Sequence, residues 1–148
     1  MIKRFLSFYL FFVCIGIHSF AQITHIYPNG SSIQSAISSA NTGDTILIHD
    51  GVYNEALIIS NKDITIASEF IINNDSSHIT STIVSGSNSF RVFEIENSIV
   101  NMIGFTIEDG YSNTRGGGML IEDESFVTLS NIIVKDNEAD DYGGGIAI

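Results

Sequence analysis

An internal repeat at the end of the chain constrains its fold more than any other feature of the sequence. Residues 98–121 align without a gap on residues 125–148, and seven of the 24 aligned positions are identical. Apolar residues recur at every second position within each copy, which predicts short strands rather than helices. The offset from Ser98 to Ser125 lies within the period of roughly 20 to 50 residues that is typical of solenoids. We therefore predict that each copy forms three short strands, two bends and one loop of a parallel β-helix.

The repeat also predicts which side chains face the interior. If the copies stack, each apolar residue of the first copy lies directly over its counterpart in the second. The predicted interior residues of the first copy are Val100, Met102, Phe105, Ile107, Met119 and Ile121. The alternation breaks between Met102 and Phe105, so the chain must bend there if both side chains point inward.

The N-terminal segment predicts export. Lys3 and Arg4 precede an uncharged apolar run at residues 5–17, and Ser19 and Ala21 are the small residues of a cleavage site. This arrangement is typical of a secretory signal peptide over residues 1–21. A membrane anchor is the alternative, although the apolar run is short for a bilayer span. We therefore predict a secreted or bacterial cell-surface protein whose residues 22–148 form a β-helix domain with no transmembrane span.

Removal of the signal peptide changes the relevant composition. Cys14, the only cysteine, leaves with it, so no disulfide is expected in the mature chain. Four basic residues then remain against all 17 acidic residues, a net charge of −13. This charge argues against nucleic acid and anionic membrane surfaces as partners. It leaves open two interpretations, namely the solubility of an extracellular protein and calcium binding by stacked carboxylates.

A short helix and several strands are predicted before the repeat. Residues 31–40 carry one apolar face, and Ser31 with Gln34 fits a capping box, so we expect an N-terminal helix that covers the exposed end of the solenoid. The predicted strands cover residues 45–49, 57–60, 64–68, 82–85 and 91–96. Residues 22–28 are predicted as a lead-in, residues 50–51 as a turn, and residues 70–81 as an outward loop.

The chain reaches Ile148 within a predicted strand. We expect an open apolar edge on this last strand, self-association through that edge, and a domain truncated at its C-terminal end. The full-length protein is then expected to continue into further β-helix coils or a sorting domain.

A series of short motifs carries a resemblance to a known superfamily. The motifs are IQ-x-A-I at 33–37, GDTI-x-I at 43–48, G-x-Y-x-E at 51–55, K-x-I-T-I at 62–66, TI-x-x-G at 82–86 and G-F-T-I at 104–107. They resemble the opening of pectinesterases, within the pectin lyase-like superfamily. The final repeat is similar to repeats of polymorphic outer-membrane proteins, although Val134 and Gly145 replace the usual Phe and Ala. The resemblance implies a right-handed parallel β-helix and says little about activity.

No catalytic signature of that superfamily is recognised within these residues, so no catalytic, cofactor-binding or metal-binding residue is assigned. The function predicted is a repeat module for adhesion or carbohydrate binding, with polysaccharide or a cell-surface ligand as partner. Two alternatives stay open, the N-terminal part of a polysaccharide-active esterase or lyase, and a structural stalk.

Calcium is the one cofactor that the residues suggest. Asp109 and Asp136 occupy the same place in the two copies, where stacked carboxylates could hold calcium or where each Asp could cap its own turn. We favour the turn, because Glu108 of the first copy is Lys135 in the second, and a lysine opposes a bound cation.

The remaining candidates are interpreted as structural. We expect Arg91 to form an exposed ion pair with Glu94 or Glu96, and no partner is predicted for Arg115. The histidines His25, His49 and His78 show no ligand spacing, and a hydrogen-bonded corner is expected for His49. The glycines of residues 116–118 and 143–145 are predicted to sit where adjacent coils approach closely.

Overall fold

The computed structural model of the protein describes residues 20–148. The predicted signal peptide at residues 1–21 lies almost wholly outside the described residues, as does Cys14, so export stays a prediction. Within the described residues the chain is mostly β, with fifteen short strands and three short helices.

Three parallel sheets contain most of the strands. Sheet A consists, in hydrogen-bonded order, of β1 (Ile23–Ile26), β2 (Thr45–Ile48), β5 (Asp63–Ser68), β8 (Ile99–Ile103) and β12 (Phe126–Ser130). Sheet B consists of β3 (Gly51–Asn54), β6 (Thr82–Ser85), β9 (Thr106–Glu108) and β13 (Ile133–Lys135). Sheet C consists of β4 (Leu57–Ser60), β7 (Phe93–Glu96), β11 (Met119–Glu122) and β15 (Ile146–Ala147). A fourth sheet, D, pairs only β10 (Tyr111–Ser112) with β14 (Glu138–Ala139).

The chain visits these sheets in a fixed order. From β2 onward it passes from sheet A to sheet B to sheet C four times, and it visits sheet D between B and C in the last two passes. One such pass is called a circuit below. Each strand pairs in parallel with its counterpart in the neighbouring circuit. The predicted predominance of β-structure is therefore confirmed at the level of parallel sheets.

The register of the last two circuits is the one that the repeat predicts. Val100 pairs with Val127 in sheet A, and Met119 pairs with Ile146 in sheet C. The earlier steps of sheet A are unequal, because the paired positions run from Ile23 to Thr45, then to Thr65, and then to Asn101. The step from β2 to β5 is the shortest in this sheet, and the step from β5 to β8 is the longest. Because the strands remain in register, the connections between sheets absorb the difference.

The predicted interior residues are buried. All six belong to one apolar cluster that draws side chains from sheets A, B and C and from the first helix. Phe105 lies near Phe93 of the preceding circuit, with ring centroids 6.2 Å apart. Burial of this apolar surface is the main term that stabilises the stack of strands. In the last circuit the corresponding side chains are less covered, since Val127 is half-buried and Leu129 is exposed.

The first helix, α1 (Ile33–Ser39), covers the N-terminal end of this cluster with Ile33, Ala36 and Ile37. The predicted helix is confirmed, but the predicted capping box is wrong. Ser32, not Ser31, is the N-cap, and its hydroxyl accepts a hydrogen bond from the Ser35 N–H.

Two partners from other parts of the chain replace the predicted box. The Glu55 carboxylate accepts hydrogen bonds from the N–H groups of Ile33 (3.0 Å) and Gln34 (3.2 Å), so it satisfies donors that a helix leaves free at its first turn. The Gln34 side chain bonds to the backbone of Ile58 on β4. Gln34, from the IQ-x-A-I motif, thus joins the helix to sheet C. Glu55, from the G-x-Y-x-E motif, joins the helix to the end of β3.

Three segments differ from the predictions. The lead-in contains strand β1, the predicted turn at residues 50–51 contains the first residue of β3, and the predicted loop at 70–81 contains α2 (Phe70–Asn73) and α3 (Ser77–Ser81). Side-chain bonds shape the last segment, because Asn73 Oδ1 accepts from the Asp75 N–H and Asp75 Oδ1 accepts from the Ser77 N–H. Such local side-chain bonds favour turns and short helices, and they do so in sequences that show no apolar periodicity.

The described helices are short, and none of those between residues 20 and 148 has both the length and the apolar character needed to cross a bilayer.

Candidate functional site

Asp109 and Asp136 both lie in the left-handed backbone region, with φ of 52° and 54°. This conformation is one that Asp and Asn tolerate better than most residues, so it supports the turn interpretation. The predicted side-chain cap is wrong, however, because within residues 20–148 neither carboxylate accepts a hydrogen bond from a backbone N–H. The Lys135 ammonium lies 2.6 Å from Glu108 and 3.5 Å from the Asp136 carboxylate, so a cation of the chain itself occupies this corner.

Arg91 is more buried than the predicted exposed ion pair, since its side chain is only 18% exposed. It pairs with Glu94, and the other guanidinium donors reach the Gly116 and Arg115 carbonyl oxygens, each at 3.0 Å. Arg91 therefore holds the chain that leads into the glycine triplet. Arg115, for which no partner was predicted, pairs with Glu122 at 2.7 Å.

The glycine triplets mark close approaches, as predicted. A Cβ at Gly117 would lie 2.0 Å from the Glu138 carbonyl oxygen, so only glycine fits between these circuits. Asn137 of the last repeat bridges the same region, because its side chain accepts from the Gly110 N–H at 2.7 Å and donates to the Ile107 carbonyl at 3.1 Å.

The histidines are brought together, contrary to the expectation from their spacing. Strands β1, β2 and β5 end at the same edge of sheet A, and the residues that follow them, Tyr27, His49 and Glu69, form one column. The rings of Tyr27 and His49 stack with centroids 4.0 Å apart. His25 lies beside them, with its Nδ1 atom 2.9 Å from His49 Nε2. The predicted hydrogen-bonded role of His49 is therefore correct in kind, but its partners come from other circuits.

Two carboxylates and a third histidine complete this cluster. His49 Nδ1 lies 3.1 Å from Glu69 Oε1, and His78 Nδ1 on helix α3 lies 2.7 Å from Asp50 Oδ1. His78 Nδ1 is also 3.9 Å from Glu69 Oε2. The His78 side chain is 14% exposed and that of Asp50 is 46% exposed, so the cluster faces solvent on one side. Asp50, Glu69 and His78 each offer one ligand atom within 4.8 Å of the others, which makes them a group able to hold a metal ion.

Two pKa values are raised in and beside the cluster. The hydrogen bond to Asp50 raises the pKa of His78, and the nearby Glu69 and Asp75 carboxylates add to the effect. At Tyr53, whose hydroxyl contacts the backbone of His49, burial raises the pKa to about 12, with a contribution from the Asp50 charge. The Tyr53 hydroxyl therefore stays protonated and donates to the His49 carbonyl oxygen at 2.8 Å, which fixes the backbone that carries His49.

A groove runs along the turns that lead from sheet C to sheet A. It has a volume of about 400 Å³, and its lining residues are Thr42, Asn61, Lys62, Asp63, Asn97, Ser98, Ile99 and Glu124. Asn61 and Asn97 both have left-handed backbone, and the Asn97 amide donates to Asn61 Oδ1 at 2.5 Å. Ile99 in the lining is 51% exposed, and its sheet neighbour Phe126, outside the lining, is 69% exposed.

One sequence signal for the histidine cluster existed. Once β1, β2 and β5 are aligned as equivalent strands, Tyr27, His49 and Glu69 fall in one column. No signal of this kind places His78, because it lies on a connection that has no counterpart in the other circuits.

The comparisons with known proteins add no relative to this picture, since no protein-family model, no curated protein and no solved structure matches the chain.

Proposed function

We propose that this chain is a right-handed parallel β-helix of the pectin lyase-like superfamily, and that it serves as a secreted or cell-surface module that binds carbohydrate. The cyclic order of sheets A, B and C and the parallel pairing of successive circuits support the β-helix. Right-handed crossover is by far the commoner hand for parallel strands joined in this way. The structural roles of Gln34 and Glu55 also support the resemblance, because both belong to its motifs and both hold the N-terminal helix.

The groove beside sheet A is the observation that carries the binding function. Its lining combines amide, carboxylate, hydroxyl and ammonium groups, which supply both donors and acceptors for sugar hydroxyls. Ile99 and Phe126 extend an apolar strip from the groove onto the outer face of sheet A. A sugar ring has polar edges and an apolar C–H face, so a strip of this kind beside a polar groove suits it.

The charge of the chain narrows the class of carbohydrate. Residues 22–148 carry a net charge of −13, and the groove itself contains Asp63 and Glu124 against Lys62. An acidic polysaccharide would meet repulsion over most of this surface. The proposal is therefore a neutral polysaccharide that lies along the stack of circuits.

The test is binding of the purified protein to an array of neutral and acidic glycans, followed by calorimetry on the best ligand. Phe126→Ser and Ile99→Ser should weaken binding at least about tenfold, the loss expected when one apolar contact of about 1.4 kcal/mol is removed. Ile72→Ser is the matched control, because Ile72 is 66% exposed on helix α2, away from the groove.

Two outcomes would refute the proposal. The first is an array in which no glycan binds, and the second is binding that Phe126→Ser, Ile99→Ser and Ile72→Ser leave equally unchanged. Release of unsaturated or de-esterified products from the glycans would instead favour the esterase or lyase alternative.

A further inference from the structure

We propose that Asp50, Glu69 and His78 form a binding site for a divalent transition-metal ion, with zinc as the probe. The three ligand atoms are one imidazole nitrogen and two carboxylate oxygens, all within 4.8 Å of one another. Mixed nitrogen and oxygen ligands suit zinc and other first-row divalent ions. Calcium takes oxygen ligands, so this site is distinct from the calcium ladder considered for Asp109 and Asp136.

The two separations between His78 and the carboxylates bracket those of a four-coordinate ion. Zinc binds histidine nitrogen and carboxylate oxygen at about 2.0–2.2 Å, so two ligand atoms of a tetrahedral site lie about 3.3–3.6 Å apart. The separations of His78 Nδ1 from Asp50 Oδ1 (2.7 Å) and from Glu69 Oε2 (3.9 Å) lie on either side of this range. Side-chain shifts of about half an ångström would bring both to the tetrahedral value. The fourth position would face solvent, where Asp50 is exposed.

Neighbouring side chains already contact all three ligands, and for His78 the neighbour is Asn73, whose amide nitrogen lies 3.1 Å from His78 Nε2. His49 Nδ1 contacts Glu69 Oε1, and His25 in turn contacts the other ring nitrogen of His49. The Thr82 hydroxyl donates to Asp50 Oδ1 at 3.2 Å. Metal ligands in proteins are commonly held by such outer hydrogen bonds, which fix the carboxylate and imidazole orientation. A surface ion pair between one histidine and one carboxylate would not need this supporting chain.

The charge of the cluster also favours a cation. Asp50 and Glu69 each offer a carboxylate oxygen within 4.8 Å of the other, and like charges at this separation repel. Within residues 20–148, no lysine or arginine forms an ion pair with either carboxylate. A divalent ion would neutralise both carboxylates at once, whereas a proton on His78 neutralises only one.

A metal ion here would join parts of the chain that are distant in sequence. Asp50 follows β2, Glu69 follows β5, and His78 lies on helix α3. Helices α2 and α3 lie on the connection that makes the step from β5 to β8 the longest in sheet A. The ion would therefore fasten this connection to the edge of sheet A, and its removal would loosen α3 before it affected the buried cluster.

The test is a titration of the metal-free protein with zinc by calorimetry and with cobalt by visible absorption. We expect binding of one ion per chain, a cobalt spectrum typical of four coordination with nitrogen among the ligands, and a zinc-dependent rise in Tm. His78→Gln and Glu69→Gln should each abolish measurable binding. His49→Gln should weaken binding about 10–100-fold, as expected for a residue that orients a ligand, because His49 Nδ1 contacts Glu69.

The controls separate the site from a general effect of charge. Asp141→Asn removes one exposed carboxylate far along the chain and should bind zinc like the wild type. Circular dichroism of each variant checks that it remains folded. Failure of the wild-type protein to bind zinc or cobalt would overturn the proposal, and so would binding that survives in both His78→Gln and Glu69→Gln.

Discussion

Gln34 pairs with the backbone of Ile58 as a neighbouring strand would. Its side-chain oxygen accepts from the Ile58 N–H at 2.7 Å, and its side-chain nitrogen donates to the Ile58 carbonyl at 3.1 Å. Strand β4 is the first strand of sheet C, so the amide of Gln34 satisfies part of an edge that has no strand beside it.

Replacement of Gln34 by alanine should therefore destabilise the fold. The two hydrogen bonds to Ile58 are lost at a partly solvated edge, and we expect a decrease of about 1–2 kcal/mol in the free energy of unfolding. Ser35→Ala, at an exposed position on the same helix, is the control and should change stability by less than about 0.5 kcal/mol. Urea unfolding measures both. Equal stabilities of the two variants would show that the amide does not stabilise the edge.

Phe105 is the side chain whose loss should cost most among the six predicted interior residues. It is fully buried and packs near Phe93, so Phe105→Ala leaves a cavity in the shared cluster. The expected decrease in the free energy of unfolding is about 3–5 kcal/mol. Phe126→Ala, at an exposed position of sheet A, should cost far less. A similar loss for both variants would contradict the description of the cluster.

Asp44 should make the fold sensitive to acid. Its carboxylate accepts from the N–H groups of Gln22 and Asn41, each at 2.8 Å, and these bonds lower the pKa of Asp44 below its usual value of 3.8. A lowered folded-state pKa gives stability that is present above the unfolded pKa and is lost as the pH falls through the folded pKa.

Thermal melts of the wild type and Asp44→Asn between pH 6 and pH 2 would check this. The variant should melt at a lower temperature near neutral pH, and the difference between the two should shrink as the pH falls below about 4. A difference in Tm that stays constant down to pH 2 would mean that Asp44 contributes no acid sensitivity.

Calcium should have no specific effect at Asp109 and Asp136. The Lys135 ammonium beside Glu108 and Asp136 already supplies positive charge there. Millimolar calcium and magnesium at matched ionic strength should therefore change the Tm equally. Asp136→Asn keeps a residue that tolerates left-handed backbone and should respond in the same way. A rise in Tm that is specific to calcium and disappears in this variant would restore the calcium ladder.

The last two circuits were predictable because they have equal length. The constant offset between the two copies is visible in the letters of the sequence, and it correctly assigns residues such as Phe105 and Met119 to the interior. Identical spacing places equivalent residues at paired positions of neighbouring strands, so a periodic pattern is enough to find them.

The histidine–carboxylate cluster was not predictable in the same way. His49 and Glu69 meet because β1, β2 and β5 are neighbours in sheet A, although the two steps that join them differ in length from each other and from the repeat. No repeated motif in the sequence predicts the lengths of the steps from β1 to β2 and from β2 to β5. His78 lies on helix α3, which is bonded to Asp50 through His78 and to Thr106 through the Ile79 carbonyl, and neither bond follows an apolar period. Because the circuits differ in length, the contacts of His49 and His78 with carboxylates do not follow a regular spacing in the sequence.

The unequal steps of sheet A also determine what an added residue does to the shape of the molecule. Adjacent strands lie about 4.8 Å apart whether the chain between them is short or long. The height of the stack therefore depends only on the number of circuits. The length of the chain within one circuit changes only the width of the molecule at that level. Residues inserted between β5 and β6 would widen the protein at one level, and every later level would keep its height. The connection that carries His78 can thus acquire or lose a ligand without displacing the groove beside β8 and β12.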